Sequence, residues 1–214
     1  MESYFRAAWK AICSSIIKPL FGVIDLIVLW YALDYSILVS QIHNNLIHDL
    51  RRARMSSKAA AAMEVFNSYM GEEEGIGEWF EVDQDRINLF ADATMDHQFI
   101  HIDPVKAAEL SPYKVTIAHG FLTLSLIVHL GASIPPKKPE ALDGVFMGVN
   151  YGLDKVRFPS PVLVNSKLRA RHRLIGADLK NENTIQLKRE VIIEVEGGEK
   201  PVCVAESLVR LMYG

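Results

Sequence analysis

IAHGFLTLSLIVHLGASI, residues 117 to 134, decides how this chain folds. Its apolar residues continue almost all round a helix instead of lining one stripe, and a helix of that kind belongs in the middle of a domain. Pro135 and Pro136 end it, because proline has no amide to continue the hydrogen-bond ladder. Five stretches rich in β-branched and aromatic residues follow, at 144–153, 155–162, 166–176, 184–197 and 200–214, separated by Gly, Pro and Asn turns. One buried helix followed by successive antiparallel strands predicts an α+β domain whose sheet wraps around that helix.

Upstream of the helix, GEWFEV (77–82) alternates as a short strand does. Asp83 is placed to cap a helix that puts Ile87, Phe90 and Ala91 on one face, and Asp103 followed by Pro104 opens a second, PVKAAEL. The acidic run Glu72, Glu73 and Glu74 reads as a solvated loop.

Residues 1 to 62 differ in character and form an apolar helical extension and linker ahead of a domain at 63–214. The stretch 16–39 is nearly all apolar, which suits a membrane span of about 20 residues. Pro19 interrupts its start, and Asp25 and Asp34 would each cost about 2.5 to 3.5 kcal/mol near the bilayer centre. The remaining alternatives are a helix packed on its own domain or a dimer partner, and a helix lying in a membrane surface with Arg6, Lys10 and Lys18 near lipid phosphates. The stretch after it places Ile42, Leu46, Ile47 and Leu50 at helical spacing.

Half of the 214 residues are hydrophobic, 23 % are charged and the formal charge is -3, which argues against disorder and against nucleic acid as a partner. The two cysteines, Cys13 and Cys203, lie far apart with no metal-ligand spacing. A reducing, cytoplasmic setting follows, with membrane association resting on residues 16 to 39.

The chemistry concentrates in DHQFIHID, residues 96 to 103, where an acid and two histidines sit among bulky apolar side chains. Asp96 and His101 do not share one face of a helix, but a turn between two helices brings both to one point. His119 and Gly120 stand where the buried helix begins. With no side chain to keep a ligand away, the Gly120 amide can hydrogen-bond a carbonyl oxygen and the negative charge that grows on it. The sequence gives His119 no role in proton transfer.

Three ordered motifs, FADATMDHQFIHIDPVKAA, TIAHGFLTLSLI and VNYGLDKVRFPSPV, together resemble the MaoC-like dehydratase family, which includes the (R)-specific enoyl-CoA hydratases, and within it the branch named after nodulation protein N. The resemblance covers about residues 65 to 214. It implies a hot-dog fold, a long central helix wrapped by an antiparallel sheet, usually dimeric, with an acyl-thioester tunnel near the subunit interface. It implies reversible hydration of a trans-2-enoyl thioester, carried by coenzyme A or acyl carrier protein, with no metal or redox cofactor. Asp96 and His101 then stand at the catalytic acid and histidine and Gly120 at the amide that holds the thioester carbonyl. Met95, Phe99, Ile100, Ala118, His119 and Arg157 are the candidate substrate contacts. Lys155 and Arg157 suit the phosphates of coenzyme A, although strand alternation gives them a solvated face instead.

The chain departs from the family pattern where glycine is usual. Met95 precedes the acid, and Lys114 and Val115 precede the Thr-Ile-Ala-His-Gly run. Gln98 and Phe99 replace the hydratases' Asn-Pro. Two other readings stay open at this point: a hot-dog thioesterase attacking C1, and a non-catalytic acyl-binding protein held at a membrane by residues 1 to 62.

Overall fold

The structure, a computed structural model, describes residues 40, 41, 43–47 and 58–214, and the chain divides into two compact units, Met1–Arg54 and Met55–Gly214. In the first unit, residues 40, 41 and 43–47 are helical, with Leu46 exposed and Ile47 half-buried. Ile42 and Leu50, and the stretch 16–39 with its membrane question, lie outside the described residues. No helix among the described residues is long and apolar enough to cross a membrane.

The second unit starts with helix α1 at 58–67, whose Ala59, Ala62 and Phe66 are buried. Residues 58 to 62, which the change in composition grouped with the extension, thus pack within this unit. Then come β1 (Glu73–Ile76), β2 (Phe80–Val82), α2 (Gln84–Thr94), α3 (Phe99–Ile102), α4 (Pro104–Leu110), α5 (Gly120–Ser125) and α6 (Ile127–Ala132). The long strands β3 (Val145–Arg157), β4 (Ser166–Asn181), β5 (Thr184–Val195) and β6 (Cys203–Tyr213) complete it. All pairings are antiparallel, in the order β1-β4-β5-β6-β3, with β2 also on β4.

Alternation decides what the sheet covers. Leu168 and Ala170 on β4, Val191 and Ile193 on β5 and Cys203 and Ala205 on β6 all point to the concave side, where Ala118, Leu122, Leu126 and Leu130 meet them. Further along the same face, Leu174, Ile185, Leu187, Leu211 and Tyr213 close on α1 through Ala59, Ala62 and Phe66. The hot-dog arrangement of a central helix against an antiparallel sheet is therefore present.

Two features of that helix differ from expectation. It runs as α5 and α6 in succession, parted at Leu126. Thr123 and Ser125 each donate their hydroxyl to the carbonyl four residues back, at 3.3 and 2.7 Å, a bond that bends helices. It is also buried on one side only: Phe121 and Val128 are exposed. Phe121 meets the Phe158 ring edge-on, centroids 6.2 Å apart, and still keeps most of its surface exposed, as Val128 does.

The strands differ in two places as well. Stretch 144–153 and the first residues of 155–162 form one strand, because a register shift between Leu153 and Lys155 absorbs the break as a bulge; the strand ends at Arg157, and 158–162 lies outside it. The acidic run is not a solvated loop. Glu73 and Glu74 lie in β1, Glu73 pairs with Arg171 at 2.7 Å, and Glu74 takes both ends of the Arg189 guanidinium at 2.6 and 3.2 Å. Arg189 faces the concave side, so its charge is stable there only because Glu74 answers it. His172 lies beside this pair. Burial, reinforced by the Arg189 charge, pushes its imidazole down to about 4.

Candidate active site

Local sequence sets the site before tertiary packing does. Asp83 caps α2 by accepting from the Arg86 amide at 2.9 Å, and Asp103 caps α4 by accepting from Lys106 at 3.0 Å. Between these caps the chain must end α2, turn, and make the single turn α3. It ends α2 at Met95, whose φ of 62° is left-handed, the conformation in which glycine is at ease. Lys114 has the same φ of 62°. At both places a residue with a side chain is held in a conformation that favours glycine, at a cost in strain.

The turn brings Asp96 and His101 together, and the start of α5 brings His119 to both. A carboxylate oxygen of Asp96 and one ring nitrogen from each histidine all lie within 4.8 Å of one another. Asp96 is half-buried, His101 is 7 % exposed and His119 only 2 %. The two imidazoles stack, with centroids 3.7 Å apart and planes 24° from parallel.

Hydrogen bonds fix the tautomers. His101 Nδ1 lies 2.7 Å from the Ile117 carbonyl. A carbonyl only accepts, so Nδ1 carries the proton and Nε2 of the neutral ring keeps its lone pair. Burial holds the His101 pKa below its ordinary value; the neighbouring His119 acts in the same direction, while the Ile117 carbonyl and Asp96 act against both. The imidazole is therefore neutral and able to accept a proton near pH 7. His119 Nε2 lies 2.9 Å from the main-chain carbonyl of Asp96 and by the same argument donates to it. His119 Nδ1 is buried without a hydrogen-bond partner.

The residues around this pair include some that the sequence did not single out. Gln84 donates to the His101 carbonyl at 2.7 Å and to Asn88 at 2.9 Å, and accepts from the Thr116 hydroxyl at 2.5 Å. It ties α2, α3 and the approach to α5 into one frame. Phe90 packs against the His119 ring, centroids 5.1 Å apart. Phe158 lies so close to Gly120 that an added Cβ would stand 3.1 Å from its ring. Thr116 and Phe158 fall inside the quoted motifs, whereas Gln84 gave no signal beyond its place after a helix cap.

The other candidates are distributed unevenly. Ala118 is buried, Ile100 half-buried and Phe99 exposed at the start of α3, while Met95 is 79 % exposed at the turn. Arg157 is exposed at the end of β3, its guanidinium donating to the carbonyl of Val156 at 2.8 Å. Lys155 pairs with Glu206 at 2.6 Å, and Asp154 with Lys188 at 2.8 Å. Asp96, His101 and His119 have the ligand types to hold a metal, but the in-plane lone pairs of stacked rings run side by side and do not converge on one ion. The set suits a hydrogen-bonded water better.

Residues 65–196 match the family model described as MaoC like domain. The 3-hydroxyacyl-thioester dehydratase Z of Mycobacterium tuberculosis is 48 % identical over 140 residues, which cover 65 % of this chain and 89 % of that protein. Nodulation protein N of Rhizobium leguminosarum bv. viciae is 44 % identical over 146 residues, 68 % of this chain and 88 % of that one. Among solved structures, the R-hydratase PhaJ1 of Pseudomonas aeruginosa shares the fold with a TM-score of 0.51 and 23 % identity, over 68 % of this chain and 83 % of that one. The family match spans the turn and helix that bear Asp96 and His101 together with most of the sheet behind them, and by it the chain belongs to the MaoC-like dehydratases.

Proposed function

We propose that the chain is a hydro-lyase that adds water reversibly across the double bond of a trans-2-enoyl thioester to give the 3-hydroxyacyl thioester. The observation that carries this reading is the approach of the Asp96 carboxylate and a neutral His101 to within 4.8 Å. Two hydrogen bonds of about 2.8 Å meeting at one water span about 4.6 Å, which the 4.8 Å limit on the separation accommodates. A relative named for dehydration of 3-hydroxyacyl thioesters, 48 % identical, supports the same substrate class.

In this mechanism Asp96 orients the water and His101 Nε2 accepts its proton as the oxygen bonds to C3. The Gly120 amide, at the first helical position and without a carbonyl partner inside its own helix, holds the thioester oxygen as negative charge grows there. The proton then returns to C2, and water has been added with nothing left over. Met95, Phe99, Ile100 and Ala118 are proposed to border the acyl group, and Arg157 to meet the phosphates of the carrier.

We further propose that two copies pair along β3. That strand closes the sheet order with one edge free of strand partners among the described residues, and it exposes Phe146, Met147, Val149, Tyr151 and Leu153.

The test of the reaction is incubation of the full chain with crotonyl-CoA. Formation of 3-hydroxybutyryl-CoA is expected, with a rate that drops about 10²-fold or more in Asp96→Asn and in His101→Ala. Release of free coenzyme A in its place, or parent rates in both folded variants, would overturn the reading.

A further inference from the structure

Proton transfer needs only Asp96, His101 and a water, yet the most deeply buried imidazole at the site is that of His119, 2 % exposed, which that chemistry leaves idle. It reaches three elements at once. Its Nε2–H donates to the main-chain carbonyl of Asp96, in the turn after α2. Its ring lies flat against His101 of α3, and its own backbone caps α5 and carries Gly120 next in sequence. Phe90, from α2, closes the outer side of the ring.

We propose that His119 is a positioning residue for the hydration reaction: one imidazole fixes the turn that carries the acid by a hydrogen bond and the base by stacking, and so sets the gap in which the water is held. This deepens the proposed function and rests on it. The two functions of the ring separate chemically. The hydrogen bond needs a donor at the reach of Nε2 and the stacking needs a flat surface.

The experiment therefore compares three variants in the full chain, each checked for fold by circular dichroism and size. His119→Gln keeps a donor at similar reach, His119→Phe keeps the plane without the donor, and His119→Ala keeps neither. A misplacement of about 1 Å can cost about 10²-fold in rate. The expectation is accordingly that kcat for crotonyl-CoA drops about 10²-fold in His119→Ala with KM changed less than threefold, and that His119→Gln restores at least tenfold of the loss. Equal kcat in parent and His119→Ala, or a loss confined to KM, overturns the inference.

A readout independent of turnover separates its failure from that of the reaction itself. In the parent protein, ¹⁵N chemical shifts of the ring nitrogens should report the proton on Nε2 of His119 and on Nδ1 of His101. A proton on Nδ1 of His119 overturns the positioning role even if hydration is observed. The expected tautomers together with an inactive parent overturn only the proposed reaction.

Discussion

Met95 shows at the scale of one residue how a family pattern and a backbone requirement differ. Sequence comparison with the family registers the missing glycine as a chemical change beside the acid. The structure registers it as a conformational one: the φ is 62°, and a side chain is carried through it. A left-handed conformation costs a residue with a Cβ about 1–2 kcal/mol, of which glycine's greater freedom in the unfolded chain takes back a part. Met95→Gly is therefore expected to stabilise the protein by about 1 kcal/mol, read as a higher urea midpoint with an unchanged slope. A lower midpoint would mean that the thioether makes contacts worth more than the strain it imposes. At this scale Asp96 and His101 stood out as candidates because an acid and a histidine are unusual among apolar neighbours, and Gly120 because it begins a buried helix. Gln84 was not, since an ordinary amide after a helix cap becomes informative only once Thr116 and the His101 carbonyl are seen beside it.

At the scale of elements, legibility followed locality. The helices α2 and α4 could be read from their caps, Asp83 and Asp103, because a cap and its amide lie three residues apart. β1 could not be read, since Glu73 and Glu74 begin a strand only when Arg171 and Arg189 arrive from about a hundred residues away. The join in β3 and the break at Leu126 were hidden for related reasons: a bulge is set by the partner strand, and back-bonding by Thr123 and Ser125 competes quietly with the helix. The Glu74–Arg189 pair makes a prediction of its own. Glu74→Ala leaves a guanidinium largely buried without an anion and is expected to cost about 3 kcal/mol in chemical denaturation. Glu74→Leu combined with Arg189→Met should cost clearly less, as apolar groups replace both charges together. If the double variant loses as much as the single one, the pair contributes more than mutual neutralisation.

For the molecule as a whole, the α+β class and the wrapped helix could be read from periodicity, but the exposure of the helix's outer face could not. Hydrophobicity all round α5 and α6 predicts burial on every side, and the outer face is instead exposed. Phe121 and Val128 on the helix and the bare edge of β3 are apolar surfaces of the sort that a second copy covers. A charge placed on that edge tests this. Light scattering should give twice the chain mass for the parent and the single-chain mass for Val149→Lys, and a parent already monomeric at micromolar concentration would remove the basis for pairing. Finally, every group assigned a part in the reaction, apart from Phe158 behind Gly120 and the distal Arg157, comes from between Gln84 and Gly120, while β4, β5 and β6, the Arg189 and His172 cluster apart, supply a dry wall. Descent can therefore rewrite those strands almost letter by letter, provided that the in-and-out rhythm survives, without touching the reaction. In a lineage drifting in this way, kinship would fade last in the short cassette that ends at the mouth of the helix.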